Sequence, residues 1–229
     1  MSIAENIKQV QTSIVVSALS CGRAPEGVRL VAVSKTRTLE ELREAMAVGQ
    51  RDFGENYAQE LRDKADALGA LPCWHFIGAL QRNKVKYVVG RASLIHDVDS
   101  VALAEEIGKR SGARPTGILL GVNIGREPQK SGFMPEVLLE VAAQIVGLPG
   151  VALQGLMCIP PAVEDPEAAG PYFAELSALA AAGRAAGLPL TELSMGMSHD
   201  YAVAIRHGAT LVRVGTAIFG ARAPKDPKH

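Results

Sequence analysis

The chain has 229 residues, 48% of them hydrophobic and only 4% aromatic, and its 24 basic residues balance 24 acidic ones. This length suits one large domain or at most two small ones, and charge neutrality argues against a nucleic-acid or membrane-surface binder. No apolar run approaches a membrane span, and an aliphatic core of this kind suits buried parallel strands and Ala/Leu-rich helices.

The first element is an amphipathic helix, because Ile3, Ile7, Val10 and Ile14 recur at helical spacing. Apolar strands are then expected at Val28–Ser34, Asp52–Glu55, Cys73–Gly78, Ser93–Val98, Thr116–Ile124, Ala152–Ile159, Thr191–Met195 and Thr210–Val214. Helical patterns lie between them. Thr38-x-x-Glu41 is a capping box ahead of Leu39, Leu42 and Met46, with Gly49 at the stop. Val101, Ala104 and Ile107 mark another helix that ends near Gly112. Pro135 suits a first helical position before Leu138, Val141 and Ile145. Further helices are expected over Ala174–Ala186 and Asp200–His207.

Eight strands alternating with helices predict a single (β/α)8 TIM barrel with an extra N-terminal helix. An open doubly wound sheet fits less well, since no G-x-G-x-x-G follows the first strand. The domain is expected to span residues 1–229, with Ala223–His229 a frayed tail, and the chain to be a monomer. Cys21, Cys73 and Cys158 form no C-x-x-C, so neither a zinc site nor a disulfide framework is indicated. Reduced thiols and the lack of a signal peptide point to the cytoplasm.

A barrel places function at the C-terminal ends of its strands. The first strand stops at Lys35, and a lysine emerging from a buried strand can enter a pocket, lose its proton and attack a carbonyl. The seventh and eighth strands end in Ser194-Met195-Gly196-Met197-Ser198 and Arg213-Val214-Gly215-Thr216. These small-residue turns lead into short helices and together suit a phosphate, although Ser198 alone reads better as an N-cap and Gly215 alone as a tight turn. Arg213, inside an apolar strand, needs an acceptor: a heteroaromatic ring nitrogen, or a carboxylate such as Glu55 or Asp97. Lysine, phosphate clamp and arginine together match pyridoxal 5′-phosphate (PLP).

Other polar residues have simpler readings. His75 suits a hydrogen-bonded structural role, and His96 with Asp97 a polar contact at the rim without metal-ligand spacing. Tyr57 suits the start of a helix, Cys158 a buried inert thiol, Met157 and Met197 packing, and Arg82, Lys84 and Lys86 a solvated face.

Ala32-Val33-Ser34-Lys35-Thr36, Phe53-Gly54-Glu55-Asn56-Tyr57, Trp74-His75-Phe76-Ile77-Gly78, Lys130-Ser131-Gly132, Gly155-Leu156-Met157, Met195-Gly196-Met197-Ser198 and Val214-Gly215-Thr216-Ala217-Ile218-Phe219-Gly220 follow one another in the chain. From about residue 5 to 222 the sequence resembles the pyridoxal phosphate homeostasis protein family, which is itself similar to the barrel domain of alanine racemase without its second domain. The resemblance implies that Lys35 is the Schiff-base lysine, that Ser198, Gly215 and Thr216 hold phosphate, that Arg213 faces the ring nitrogen, and that Asn56 lies beside the cofactor. The expected function is reversible PLP holding for vitamin B6 homeostasis without evident catalysis, with apo PLP-dependent enzymes as recipients. A weak amino-acid racemase using Lys35, alone or with Tyr57, and a cofactor-free aldolase-like barrel are the competing readings.

Overall fold

A computed structural model describes residues 2–221; the expected tail Ala223–His229 lies outside the described residues. The chain begins with α1 (Ile3–Ser20), then runs β1 (Arg29–Val33), α2 (Leu39–Ala47), β2 (Asp52–Glu55), α3 (Ala58–Leu68), β3 (Cys73–Phe76), α4 (Val85–Val88) and β4 (Ala92–Val98). It continues with α5 (Val101–Arg110), β5 (Thr116–Val122), α6 (Leu138–Val146), β6 (Val151–Cys158), α7 (Gly170–Ala185), β7 (Glu192–Met197), α8 (Tyr201–Arg206), β8 (Leu211–Val214) and α9 (Thr216–Phe219). The strands form one closed parallel barrel in chain order. Closure comes from β1 on β8, where Val31 lies beside Arg213 and Ala32 beside Val214.

Each expected strand is present, with ends moved by at most a few residues. Pro135 differs from its expectation: it opens a short 3-10 turn, and α6 begins only at Leu138. The α1 helix carries a second capping box, in which Ser2 and Glu5 satisfy each other's backbone N–H groups. Its buried residues Ile7, Val10, Ile14 and Ala18 form one stripe, and the helix lies against α2, α8 and α9. Burial of each such large aliphatic side chain contributes about 1.5–3 kcal/mol. The main core lies between the barrel and its helices, while Val31, Leu94, Leu119, Met157 and Leu211 form a separate apolar cluster. Among the described residues no helix is long and apolar enough to cross a membrane.

Candidate functional site

At the end of β1 the chain turns through Ser34, Lys35 and Thr36. Thr36 adopts a left-handed φ of 65°, uncommon for a β-branched residue. The turn is held by side chains from β2 and α3. Thr36 N–H donates to Glu60 Oε1 at 2.6 Å, and Ser34 Oγ donates to Glu55 Oε1 at 2.6 Å. Lys64, reaching in from α3, donates to Ser34 O at 2.7 Å, Glu55 Oε1 at 2.8 Å and Glu60 Oε1 at 2.7 Å. All three ammonium hydrogens therefore have acceptors. Burial pushes the Glu55 carboxyl up to about 7, against the opposing pull of Lys64. Lys35 itself is half-buried on this fixed turn.

The β7 and β8 turns adjoin it. Gly196 takes φ 91°, a conformation that favours glycine. The following turn is tied by Met197 N–H donating to Asp200 Oδ1 at 2.6 Å. Ser198 Oγ accepts from Gly215 N–H at 3.3 Å, which joins the two loops. A Cβ on Gly215 would stand 3.2 Å from Val33 Cβ, so the β8 turn lies close against the end of β1. Thr216 follows, exposed, as the first residue of α9. Lys35, Ser198, Gly215 and Thr216 thus share the β7–β8–β1 sector of one barrel end. Asn56 stands on the other flank, at the end of β2. It lines a cavity of ~390 Å³ with Tyr57, Phe76, Gly78, Leu80 and Lys84. Its Oδ1 is buried with no hydrogen-bond partner among the described residues.

Arg213 is 4% exposed. Its guanidinium donates to Ser194 Oγ at 2.6 Å and Cys158 O at 3.0 Å. Neither expected carboxylate partner pairs with it: Glu55 is taken by Lys64, and Asp97 acts on Arg213 only at range. His96 also departs from expectation. It does not meet Asp97 at the rim but is wholly buried, because its β4 position faces the barrel interior. Its Nδ1 lies 2.7 Å from Ser194 Oγ, and its Nε2 lies 2.8 Å from His75 Nδ1. His75 Nε2 in turn lies 2.9 Å from Asp52 Oδ1. A buried polar line therefore crosses the barrel from Arg213 to Asp52. Arg213 can only donate and carboxylate Asp52 can only accept, so with neutral rings every hydrogen between them points toward Asp52. Burial, reinforced by His75 and Arg213, holds His96 well below its ordinary pKa and so keeps it neutral. Burial also opposes charge on His75, but hydrogen bonds to Asp52 and Cys73 overcome it and the net shift is upward.

Among the remaining residues, Cys158 is buried and burial pushes its thiol up to about 12, as suits an inert thiol. Met157 is packed in the interior, whereas Met197 is 37% exposed and is not a packing residue. Tyr57 precedes α3 as expected but is 52% exposed. Arg62, Lys84 and Lys86 lie over the Tyr87 ring at 5.0, 5.8 and 5.1 Å. The solvated face therefore includes an organised cation–π cluster, and Lys84 is partly withdrawn into the Asn56 cavity. Sequence reading missed the Lys64–Glu55–Glu60 cluster. Its signal was a lysine on the buried Ala58–Leu61 face of α3.

The barrel is of the alanine racemase N-terminal domain class, whose family profile matches residues 3–223. More narrowly, the chain belongs to the pyridoxal phosphate homeostasis protein family. It is 43% identical to the pyridoxal phosphate homeostasis protein of Aquifex aeolicus, over 97% of this chain and 99% of that one. The structure of PipY from Synechococcus elongatus with PLP bound superposes with a TM-score of 0.83 at 37% identity, covering 96% of this chain and 100% of that one. Alanine racemase from Corynebacterium glutamicum shares the fold alone, with a TM-score of 0.69 at 15% identity, over 96% of this chain and 63% of the racemase.

Proposed function

We propose that this chain binds PLP reversibly at the β7–β8–β1 sector and serves as a non-catalytic carrier that buffers the cofactor and releases it to apo-enzymes. The observation that carries the reading is the meeting of the Lys35 turn with the Ser198–Gly215 pair over the end of β1. The chemistry of the donor set fits. When bound, PLP supplies an electrophilic aldehyde, an aromatic nitrogen and a phosphate. Lys35 Nζ would be the amine that holds the aldehyde as a reversible covalent tether. The Ser198 hydroxyl and the N–H groups of Gly215 and Thr216 would hold phosphate. Arg213 would face the ring nitrogen as a donor and leave it unprotonated, which weakens the ring as an electron sink. Asn56, with its unpartnered Oδ1, would flank the cofactor. Two-base racemisation needs a second acid–base group opposite the lysine, and Tyr57 is too exposed to be shielded for that role.

Incubation with PLP should give a visible absorption band that Lys35→Ala removes. Borohydride should fix a pyridoxyl group on the Lys35 peptide, readable by mass spectrometry. A colourless wild type sinks the binding reading. Turnover of chiral amino acids that Lys35→Ala abolishes sinks the carrier reading and establishes the racemase instead.

A further inference from the structure

We propose that Asp52, Cys73 and His75 form a binding site for one zinc ion at the end of the barrel opposite Lys35, with water in the fourth position. Asp52 and Cys73 are direct register partners on β2 and β3, and His75 follows Cys73 by two residues on the same strand face. Rigid neighbouring backbone therefore presents a carboxylate, a thiol and an imidazole together. They converge on His75 Nε2, which lies 2.9 Å from Asp52 Oδ1 and 3.8 Å from Cys73 Sγ. All three ligand atoms fall within 4.8 Å of one another. Zinc bonds of about 2.0–2.3 Å in a tetrahedral arrangement place ligand atoms roughly 3.3–3.6 Å apart. Loading the site then opens the His75–Asp52 pair by about half an ångström and closes the His75–Cys73 pair by a few tenths. Thiolate and imidazole favour zinc over magnesium or calcium, and three protein ligands leave one position open.

The surroundings suit an ion. The far side of the His75 ring is already held, with Nδ1 2.8 Å from buried His96 Nε2, the outer-shell support that metal-bound histidines require. Zinc on Nε2 places the His75 hydrogen on Nδ1, where it is donated to His96 Nε2. The His96 hydrogen then sits on Nδ1 and is donated to Ser194 Oγ, which still accepts from Arg213 and turns its own hydrogen away from the ring. Both rings stay neutral, and only the Cys73 thiol proton leaves. Thiolate and carboxylate balance the double charge of the ion. The nearby cation Arg29 is paired with Glu192 at 2.8 Å. Entry is open, since the Asp52 side chain is 23% exposed. It also lines a ~290 Å³ cavity with Gln50 and Arg51.

The test uses the full chain, reduced and freed of metal with a chelator. Titration with zinc alone should give one equivalent bound and about one proton released. Cobalt in its place should give a thiolate-to-metal charge-transfer band. Cys73→Ser should remove that band, and both Cys73→Ser and Asp52→Asn should weaken zinc binding by at least ~10-fold. Cys21→Ser should change neither. Uptake below one equivalent, or a wild-type cobalt complex without the thiolate band, overturns the site, and neither readout depends on a variant folding. Stoichiometric binding that survives Cys73→Ser overturns it equally.

Discussion

The two faces of the barrel differ in where their polar groups find partners. At the strand C-termini, Ser198, Gly215 and Thr216 meet through short turns, with backbone N–H groups and two hydroxyls near the surface. Below them, Arg213, Ser194, His96 and His75 are buried side chains that satisfy one another in sequence until Asp52 reaches the far end. The mouth can exchange its partners with a ligand at little cost, because water replaces what the ligand leaves. The Arg213–Ser194–His96 stretch of the interior line cannot, because each unpaired buried group there costs about 1–3 kcal/mol, and the line opens to a ligand only at its partly exposed Asp52 end. The contrast teaches that stability and binding are separable in this molecule: interior changes should act on folding, and changes at the mouth on the ligand.

His96→Leu should break the interior line most severely. It leaves His75 Nδ1 without its partner and removes one of the two partners of Ser194, inside a wholly buried space. A loss of about 2–4 kcal/mol in urea unfolding is expected. If His96→Leu unfolds like wild type, the line is only a set of incidental contacts and the contrast between the two faces disappears.

Glu55 sharpens the comparison, because it lies at the mouth yet is buried like an interior group. Its folded pKa, about 7, stands above the ordinary 4.5. The folded state therefore holds the proton more tightly, and the associated stability is present below pH 4.5 and lost as pH rises to about 7. The loss should be roughly 3 kcal/mol, from about 1.4 kcal/mol for each pKa unit. Glu55→Gln should flatten that part of the stability–pH profile, since Gln keeps an acceptor for Lys64 and Ser34 but cannot ionise. A profile unchanged by Glu55→Gln would assign the slope to another group.

The same contrast explains what was legible in the sequence. The barrel was readable because apolar runs at regular spacing report burial directly, and the placement of Lys35, Gly215 and Thr216 at one barrel end was readable because strand ends and small-residue turns are local features. The 3-10 turn at Pro135 was not, since proline fixes φ at a helix start without choosing between the two helical hydrogen-bond patterns. His96 was misplaced at the rim because alternation along a strand gives two faces but not which one points into a closed barrel. The Arg213–Ser194–His96–His75–Asp52 line draws on strands β8, β7, β4, β3 and β2. No spacing within the sequence encodes such a meeting; only closure of the barrel creates it. Asp52 and Cys73 illustrate the same limit, since 21 positions separate residues that the β2–β3 register places side by side.

The smallest expected effect on folding belongs to Ser198→Ala. The substitution removes the acceptor of the Gly215 N–H, a half-buried contact at 3.3 Å. Its stability cost should be about 0.5–1 kcal/mol, because water can reach the freed N–H. Its effect on PLP should be larger. A hydroxyl donating to a charged phosphate is worth about 1.5–3 kcal/mol, so binding followed through the visible band should weaken by at least ~10-fold. Gly215→Ala makes a companion, since its new Cβ must push Val33 aside by a few tenths of an ångström from 3.2 Å. The outcome that separates the two faces is a ratio. At the mouth, the loss of binding should exceed the loss of stability in both variants, whereas His96→Leu should show the reverse. Equal losses in Ser198→Ala would mean that the Ser198–Gly215 contact serves only to hold the loops together, and the phosphate would then have to lie elsewhere.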